Sequence, residues 1–463
     1  MSRVVPRSAW LALVVILLAR TADAQNQSLS PFFGGPCEQP GQLAHAGFLL
    51  VCSDAGIFRY ALYQDVPPAP EGGYVERPSW FPPLVDVLRS RNPPPCPLSG
   101  RVTLTSPVIR PQDLLTTVPQ GALIFDHVTP IDHGYIGVKP LEKSSASRTE
   151  ADYVRITAPA DAEVIEVSSL GSRTSMRIVL AHGCETYSIF MVVNRLSGAL
   201  AHLQDDVSRQ GKHLNPYIKV LAGEELGEQR DNPLDFSVHD GATWLTGFVS
   251  PFSYTSSESW KPYTVDPWPY FTPELGAAYE ASMQRTSAPR WGRIDQDVAG
   301  TAAGSWFLDG TVGYSGRRVE ELRNATAPLQ GGPVEGRNYY AWSHLSIVRH
   351  WVQPSRWIFS IGWWRDEKGD PTQKYIDVAG GQPDPSQLTR ASGAVVYVLR
   401  NWETSPPITG SAAIGYAVNP TTIVGIVAVQ VNEDDSLTIE LIPGAQDRSA
   451  FRGFSSAKRI YRR

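Results

Sequence analysis

Short runs of β-branched and aromatic residues, each closed off by turn formers, constrain this chain more than any other feature. Between Arg101 and about Pro251 they are Val102–Leu104, Ala122–Phe125, Tyr153–Ile156, Glu163–Val167, Met176–Leu180 and Tyr187–Val193. Such runs at even spacing read as strands of a sandwich or barrel. From about Trp291 the pattern resumes with Ser305–Leu308, Leu345–Val348, Trp357–Trp364, Ala394–Leu399, Ala412–Val418, Ile423–Val431 and Leu437–Leu441. Asn432-Glu433-Asp434-Asp435 separates the last two and reads as a hairpin turn. Sequential strands with short connections predict an antiparallel sandwich or barrel at the C-terminus. The expected fold class is mainly β.

Other segments break this pattern. Residues 25–100 are proline-rich, with Pro67, Pro68, Pro70, Pro82, Pro83 and Pro93 to Pro95. Proline fixes φ and lacks an N–H, so loops with edge strands are expected there. Two strand-like runs, Gly47–Cys52 and Ile57–Tyr63, interrupt them. Ser144–Asp152 is polar and reads as a surface loop. Ser256–Tyr270 is aromatic and proline-rich, and reads as a linker that packs on a domain. Pro273–Arg285 carries Leu275, Tyr279 and Met283 at i, i+4 and i+8, which predicts a helix. The expected division is a signal segment 1–24, a proline-rich segment 25–100, a middle domain 101–255, a linker with a short helix 256–290, and a β domain 291–463.

The first residues predict export. Arg3 and Arg7 precede an apolar run from Trp10 to Ala19, and Ala22-Asp23-Ala24 has small residues at a cleavage spacing. That run is shorter than the roughly 20 residues needed to cross a bilayer. A periplasmic or extracellular protein is therefore expected. Net charge is −5 with 19% charged residues. No basic stripe of the kind nucleic-acid binders carry is present. The four cysteines Cys37, Cys52, Cys96 and Cys184 suggest disulfides in an exported chain. Three connectivities are open. Cys37–Cys52 is the local pair, and Cys96–Cys184 would then tie the N-terminal segment to the middle domain. No C-x-x-C, H-E-x-x-H, G-x-S-x-G or P-loop pattern is present.

Three segments of the middle domain occur in a telling order. Ala158-Pro159-Ala160-Asp161-Ala162-Glu163-Val164 is a turn into a strand. Val220-Leu221-Ala222-Gly223-Glu224-Glu225-Leu226-Gly227 is a turn before a return strand. Leu234-Asp235-Phe236-Ser237-Val238 alternates as a strand. The ordered set resembles the lysostaphin-type (LytM) peptidoglycan endopeptidase domain, over roughly residues 119–238, about a quarter of the chain. The resemblance implies a β-barrel-sandwich hybrid, the duplicated hybrid motif. It also implies a zinc site in active members, held by an H-x-x-x-D motif and the second His of H-x-H. Three ligands leave a position open for an attacking water.

This chain departs from that pattern. His133 stands at the motif's first His, but Gly137 stands where the Asp should be. Pro233 and Asp235 replace the two histidines of H-x-H. No His falls between Met191 and Asn194, where an assisting one is expected. His127, His133, Asp235 and His239 remain as candidate metal ligands, with zinc as the metal such a set would take. Asp235 and His239 share one strand face. Asp132 is a candidate binding residue beside them. His182, in an Ala181-His182-Gly183 turn, reads as structural.

The region from about Gly292 to Arg400 resembles the C-terminal part of large bacterial secreted proteins that pair it with a degenerate LytM-like domain, which implies no activity. Its tryptophans invite a second binding reading. Exposed aromatic faces stack on sugar rings, and Trp363 and Trp364 are adjacent in a strand-like run, so at most one points inward. The competing reading is core and edge packing in a β-barrel. Asp366, Glu367 and Asp370 read as a solvated hairpin tip.

Three functions follow as expectations. The first is an exported, non-catalytic binding or regulatory protein that contacts peptidoglycan, a glycan or an envelope protein and needs no cofactor. The second is a zinc metallopeptidase with a rearranged site. The third is a secreted structural scaffold.

Overall fold

The computed structural model describes residues 31–46, 48–70, 73–89, 101–124, 127–172, 174–210, 213–329, 340–364, 372–378, 381–405 and 417–463. The expected signal segment, Cys96, Phe125 and the Asp366–Asp370 tip lie outside them. The chain is mainly β. A three-stranded antiparallel sheet comes first, from β1 (Leu43–His45), β2 (Leu49–Cys52) and β3 (Phe58–Tyr60). The Cys37–Cys52 disulfide pins the preceding loop to its central strand. Cys184 is also disulfide-bonded.

The middle of the chain builds two sheets from β4 (Leu114–Val118), β5 (Gly134–Val138), β6 (Val154–Thr157), β7 (Ala162–Ser172), β8 (Ser175–Ala181), β9 (Thr186–Val193), β10 (Arg195–Leu196), β11 (His213–Leu214), β12 (Ile218–Val220), β13 (Glu225–Gln229), β14 (Leu234–Asp240) and β15 (Thr264–Val265). The larger runs β11-β7-β8-β9-β14-β5-β4, with β12 on β7 and β15 on β14; the smaller runs β10-β13-β6. Period-two alternation gives the larger sheet two buried faces. Met176, Ile178, Leu180, Phe190, Phe236 and Val238 enter the main core between the sheets. Val179, Tyr187 and Ile189 point the other way, onto Phe81, Leu84 and Tyr263. The proline-rich segment is therefore more than loops: it lays an apolar cover on the sheet's second face.

The short helices are α1 (Leu84–Leu88), α2 (Gln204–Gln210), α3 (Pro273–Ala281) and α4 (Val319–Arg323). Helix α3 stops at Ala281, before the expected Arg285. Thr117 N–H donates to the Ser282 carbonyl (2.9 Å) and Gln284 N–H to the Thr117 carbonyl (3.0 Å), so the chain leaves the helix to satisfy the β4 edge. Two expected strands do not form. Leu104 makes a single bridge to Phe271, and Ala122–Ile124 is a loop. Residues 256–290 pack as expected and go further. Trp268, Tyr270, Phe271 and Tyr279 are part of the main core, with Trp268 and Tyr279 stacked at 4.6 Å.

The C-terminal part is a closed eight-stranded antiparallel barrel. Its strands are β16 (Gly304–Leu308), β19 (His344–Arg349), β20 (Trp357–Ile361), β21 (Thr372–Asp377), β22 (Val395–Ser405), β23 (Ala417–Val431), β24 (Leu437–Pro443) and β25 (Arg459–Arg462), in that order. The small pair β17 (Thr311–Val312) and β18 (Arg317–Arg318) branches off between the first two. Pairing of Phe307 with Arg462 and Leu308 with Tyr461 closes the ring and leaves no edge. Alternate residues, among them Trp306, Ile347, Phe359, Tyr397, Val429 and Ile439, fill the inside, as expected for eight strands. Barrel and middle sheet share a cluster in which Val118, Leu123, Ile131 and Tyr135 meet Val348, Trp351 and Ile358.

Candidate binding site

Three elements converge where the middle sheet meets the barrel. The first is the loop before β5. Gly121 N–H donates to the Ile131 carbonyl (2.8 Å) and Ile131 N–H to the Ala122 carbonyl (3.3 Å). This closure returns His127, Asp132 and His133 to the mouth of the strand. The second is β14, paired on both sides: Asp235 stands opposite Tyr135 of β5 and Met191 of β9. Leu234, Phe236 and Val238 face the core, which forces Asp235, Ser237 and His239 onto the opposite face. The third is the Glu258–Lys261 turn, closed by Lys261 N–H to the Glu258 carbonyl at 3.0 Å.

Together they enclose a cavity of about 500 Å³. Ile131, Leu170, Ile189, Met191 and Val192 give it apolar walls, and Tyr314 reaches in from the barrel side. Two residues on its wall, Val192 (φ +60) and Glu258 (φ +56), hold left-handed backbone without being glycine. That conformation is strained for a β-branched residue and concentrates at functional sites.

Its polar groups form a chain. His133 Nδ1 lies 3.2 Å from Asp132 Oδ1, and its Nε2 lies 3.3 Å from Asp235 Oδ2. Buried Nε2 nonetheless has no hydrogen-bond partner, so the last pair is close without being aligned. Trp260 Nε1 donates to Asp132 Oδ2 (2.6 Å). Lys261 Nζ is 3.1 Å from Glu258 Oε2 and 3.6 Å from Asp132 Oδ1. It donates to the Pro130 carbonyl (3.3 Å) and sits 4.9 Å from the Tyr314 ring centre. Arg177 pairs with Glu166 and lies over the Trp260 ring.

Charge states follow from this packing. Burial opposes the Lys261 ammonium, but Asp132 and Glu258 outweigh it and hold the lysine charged. Burial also opposes ionised Asp132, yet Lys261 and His133 hold it well below the usual carboxylate range. Burial pushes Asp235 up to about 7, tempered by His133. For His133, Asp235 and Asp132 overcome burial and raise its pKa. His127 keeps some surface open, but burial, His133 and Lys261 push it down to about 3.

Four of the residues singled out from the sequence, His127, Asp132, His133 and Asp235, thus line one cavity. The fifth, His239, does not join them. It shares their strand face, but Ser237 Oγ bonds its Nε2 (2.9 Å) and Thr264 Oγ1 its Nδ1 (3.3 Å). The tryptophan pair offers no open stacking face. Trp363 is 7% exposed, and half-buried Trp364 lies under the Arg459 guanidinium, 5.2 Å from its ring centre. Trp342, Trp351 and Trp357 are buried as well. His182 bonds Ser188 Oγ (2.8 Å) and the Asp161 carbonyl (3.2 Å), a structural arrangement.

The residues present do not fit zinc. Among the described residues no three His, Cys, Asp or Glu side chains are placed to hold a metal ion. Asp132 is committed to Trp260, Lys261 and His133, and His239 to two hydroxyls. Lys261, Glu258, Trp260 and Tyr314 complete the cavity without any mark of that role in the sequence. All four come from segments distant in sequence from the motif-like strands, and a buried lysine has no local signature.

No protein-family model, curated protein or solved structure matches this chain.

Proposed function

We propose that this chain is an exported, non-catalytic binding protein, built on a degenerate lysostaphin-type fold, that holds an envelope peptide or glycan in the His133–Asp235 cavity and acts as a regulator or adaptor. The observation that carries the reading is the placement of His133 beside Asp235, 3.3 Å apart. These are the two positions that the resemblance assigns to metal ligands, and a cavity of about 500 Å³ opens there. The resemblance's remaining positions, Gly137 and Pro233, have no donor atoms in their side chains. Asp132, Lys261 and Glu258 satisfy one another instead of an ion. Paired charges, apolar walls and few polar anchors describe a ligand pocket rather than a hydrolytic centre. The scaffold reading is weaker, because the tryptophans it relies on are buried.

Co-sedimentation of the full chain with purified peptidoglycan tests the proposal. The expected result is retention without release of peptides or sugars, with or without added zinc. Retention should fall on Met191→Trp, which fills the cavity. No retention, or zinc-dependent cleavage, would overturn it.

A further inference from the structure

We infer that the cavity selects an uncharged group presenting a hydrogen-bond donor and an acceptor on neighbouring atoms, set side by side against His133 Nε2 and Asp235 Oδ2. The inference rests on the binding reading above and names the chemistry the same site selects. His133 Nε2 is buried without a hydrogen-bond partner, though Asp235 Oδ2 is 3.3 Å away. The ring cannot swing to correct this without losing the 3.2 Å contact of Nδ1 with Asp132. A buried polar atom left in this state is unfavourable, so a group that bridges the pair gains both bonds. Vicinal hydroxyls do this, as does the edge of a primary carboxamide. Their polar atoms sit roughly 2–3 Å apart, close to the spacing of the protein pair. Each offers an acceptor for the Nε2–H of His133 and a donor for the Asp235 carboxylate.

Charge decides against an ionic ligand. Lys261 lies 3.1 Å from Glu258 and 3.6 Å from Asp132, and Arg177 is paired with Glu166. A carboxylate entering the cavity would face Asp132, Asp235 and Glu258. An ammonium would face Lys261, Arg177 and His133, and the carboxylates beside them are already paired with these cations. Either ion would lose its hydration without an uncommitted counter-charge to replace it. The opposite wall, with Leu170, Ile189 and Met191, takes the carbon skeleton of the ligand.

Saturation-transfer NMR on the folded full-length chain tests this with four millimolar probes. Methyl glucoside supplies vicinal hydroxyls and propionamide supplies the carboxamide. Propionate and propylammonium are the charged counterparts. Either or both uncharged probes should receive saturation while the ions do not, and which one does separates a glycan from an amide source. His133→Phe should weaken the response about tenfold. Met191→Trp, which fills the cavity and replaces neither member of the polar pair, should do the same if His133→Phe fails to fold. Equal or stronger response from an ion, no response from any probe, or unchanged response in the folded variants would overturn the inference. Retention on peptidoglycan with silent uncharged probes would sink the ligand class and leave the binding reading standing. Bound probes without retention would do the reverse.

Discussion

Lys261 is 2% exposed at its side chain and anchored by two carboxylates and a carbonyl. Lysine tolerates such burial only when its charge is matched. Removing one member of a buried charge cluster leaves the others uncompensated, at a cost of about 3–5 kcal/mol. Lys261→Met should therefore lower the urea midpoint sharply, with the loss concentrated around the cavity in hydrogen exchange. A loss under about 1 kcal/mol, the worth of an exposed pair, would mean that the lysine is solvated. His182 gives a contrasting case. Its two hydrogen bonds are local and neutral, and His182→Ala should cost about 1–3 kcal/mol without changing ligand retention.

At the scale of elements, β5 and β14 hold the site, and β5 packs tightly against β4 and Trp291. A Cβ at Gly134 would sit 2.3 Å from the Trp291 ring and 2.6 Å from the Val118 carbonyl. Gly134→Ala should cost about 1–3 kcal/mol through overpacking, measured by denaturation, and should shift His133 next to it. Wild-type stability would show that the strand can move aside. Much of this architecture was legible in the chain. Period-two runs located β7, β8, β9, β14 and most of the barrel. His133 and Asp235 were marked by the resemblance, which sets them at two of the family's ligand positions. What stayed hidden depended on long-range partners. Leu114–Val118 and Gly134–Val138 mix small and polar residues too freely for pattern alone, and they form because β14 and the α3 exit supply their hydrogen bonds. Trp260 and Lys261 looked like linker because burial of an aromatic-Pro segment is decided by what packs on it. His239 looked available because Ser237 and Thr264, which satisfy it, are recognisable only in the fold.

The whole molecule is closed by its barrel, and its buried groups with displaced pKa values make its stability depend on pH. Strand β25 joins β16 to β24, and deleting residues 459–463 should expose two edges. That variant should lose cooperative unfolding and self-associate in sedimentation velocity; a monodisperse monomer would show that the ring holds without its last strand. Acid should also destabilise the fold. Burial lowers His182 and His239 to about 4, His127, His344 and His350 to about 3, and His45 as well. The unfolded chain takes up these protons below about 6.5 and the folded chain does not, so their stabilisation is complete above pH 6.5 and is lost as pH falls toward 4 and 3. Burial raises four carboxyls, Asp235 to about 7, Asp266 to about 6, and Glu258 and Asp297. Their contribution runs the opposite way, complete below the ordinary carboxylate range and lost as pH rises through the folded values. His133, with its pKa raised, adds to the carboxyl side only near pH 6.5, so the six lowered histidines leave a net loss and urea midpoints should fall from pH 6.5 to pH 4. Midpoints that hold or rise would contradict this balance.

We propose that His133 and Asp235 line a binding cavity and not a metal centre. Zinc stoichiometry by mass spectrometry tests it most directly, on the full chain purified without chelator and then dialysed against zinc. The expected result is well under one zinc per chain, unchanged by His133→Ala. One tightly held zinc per chain, lost on His133→Ala, would contradict it.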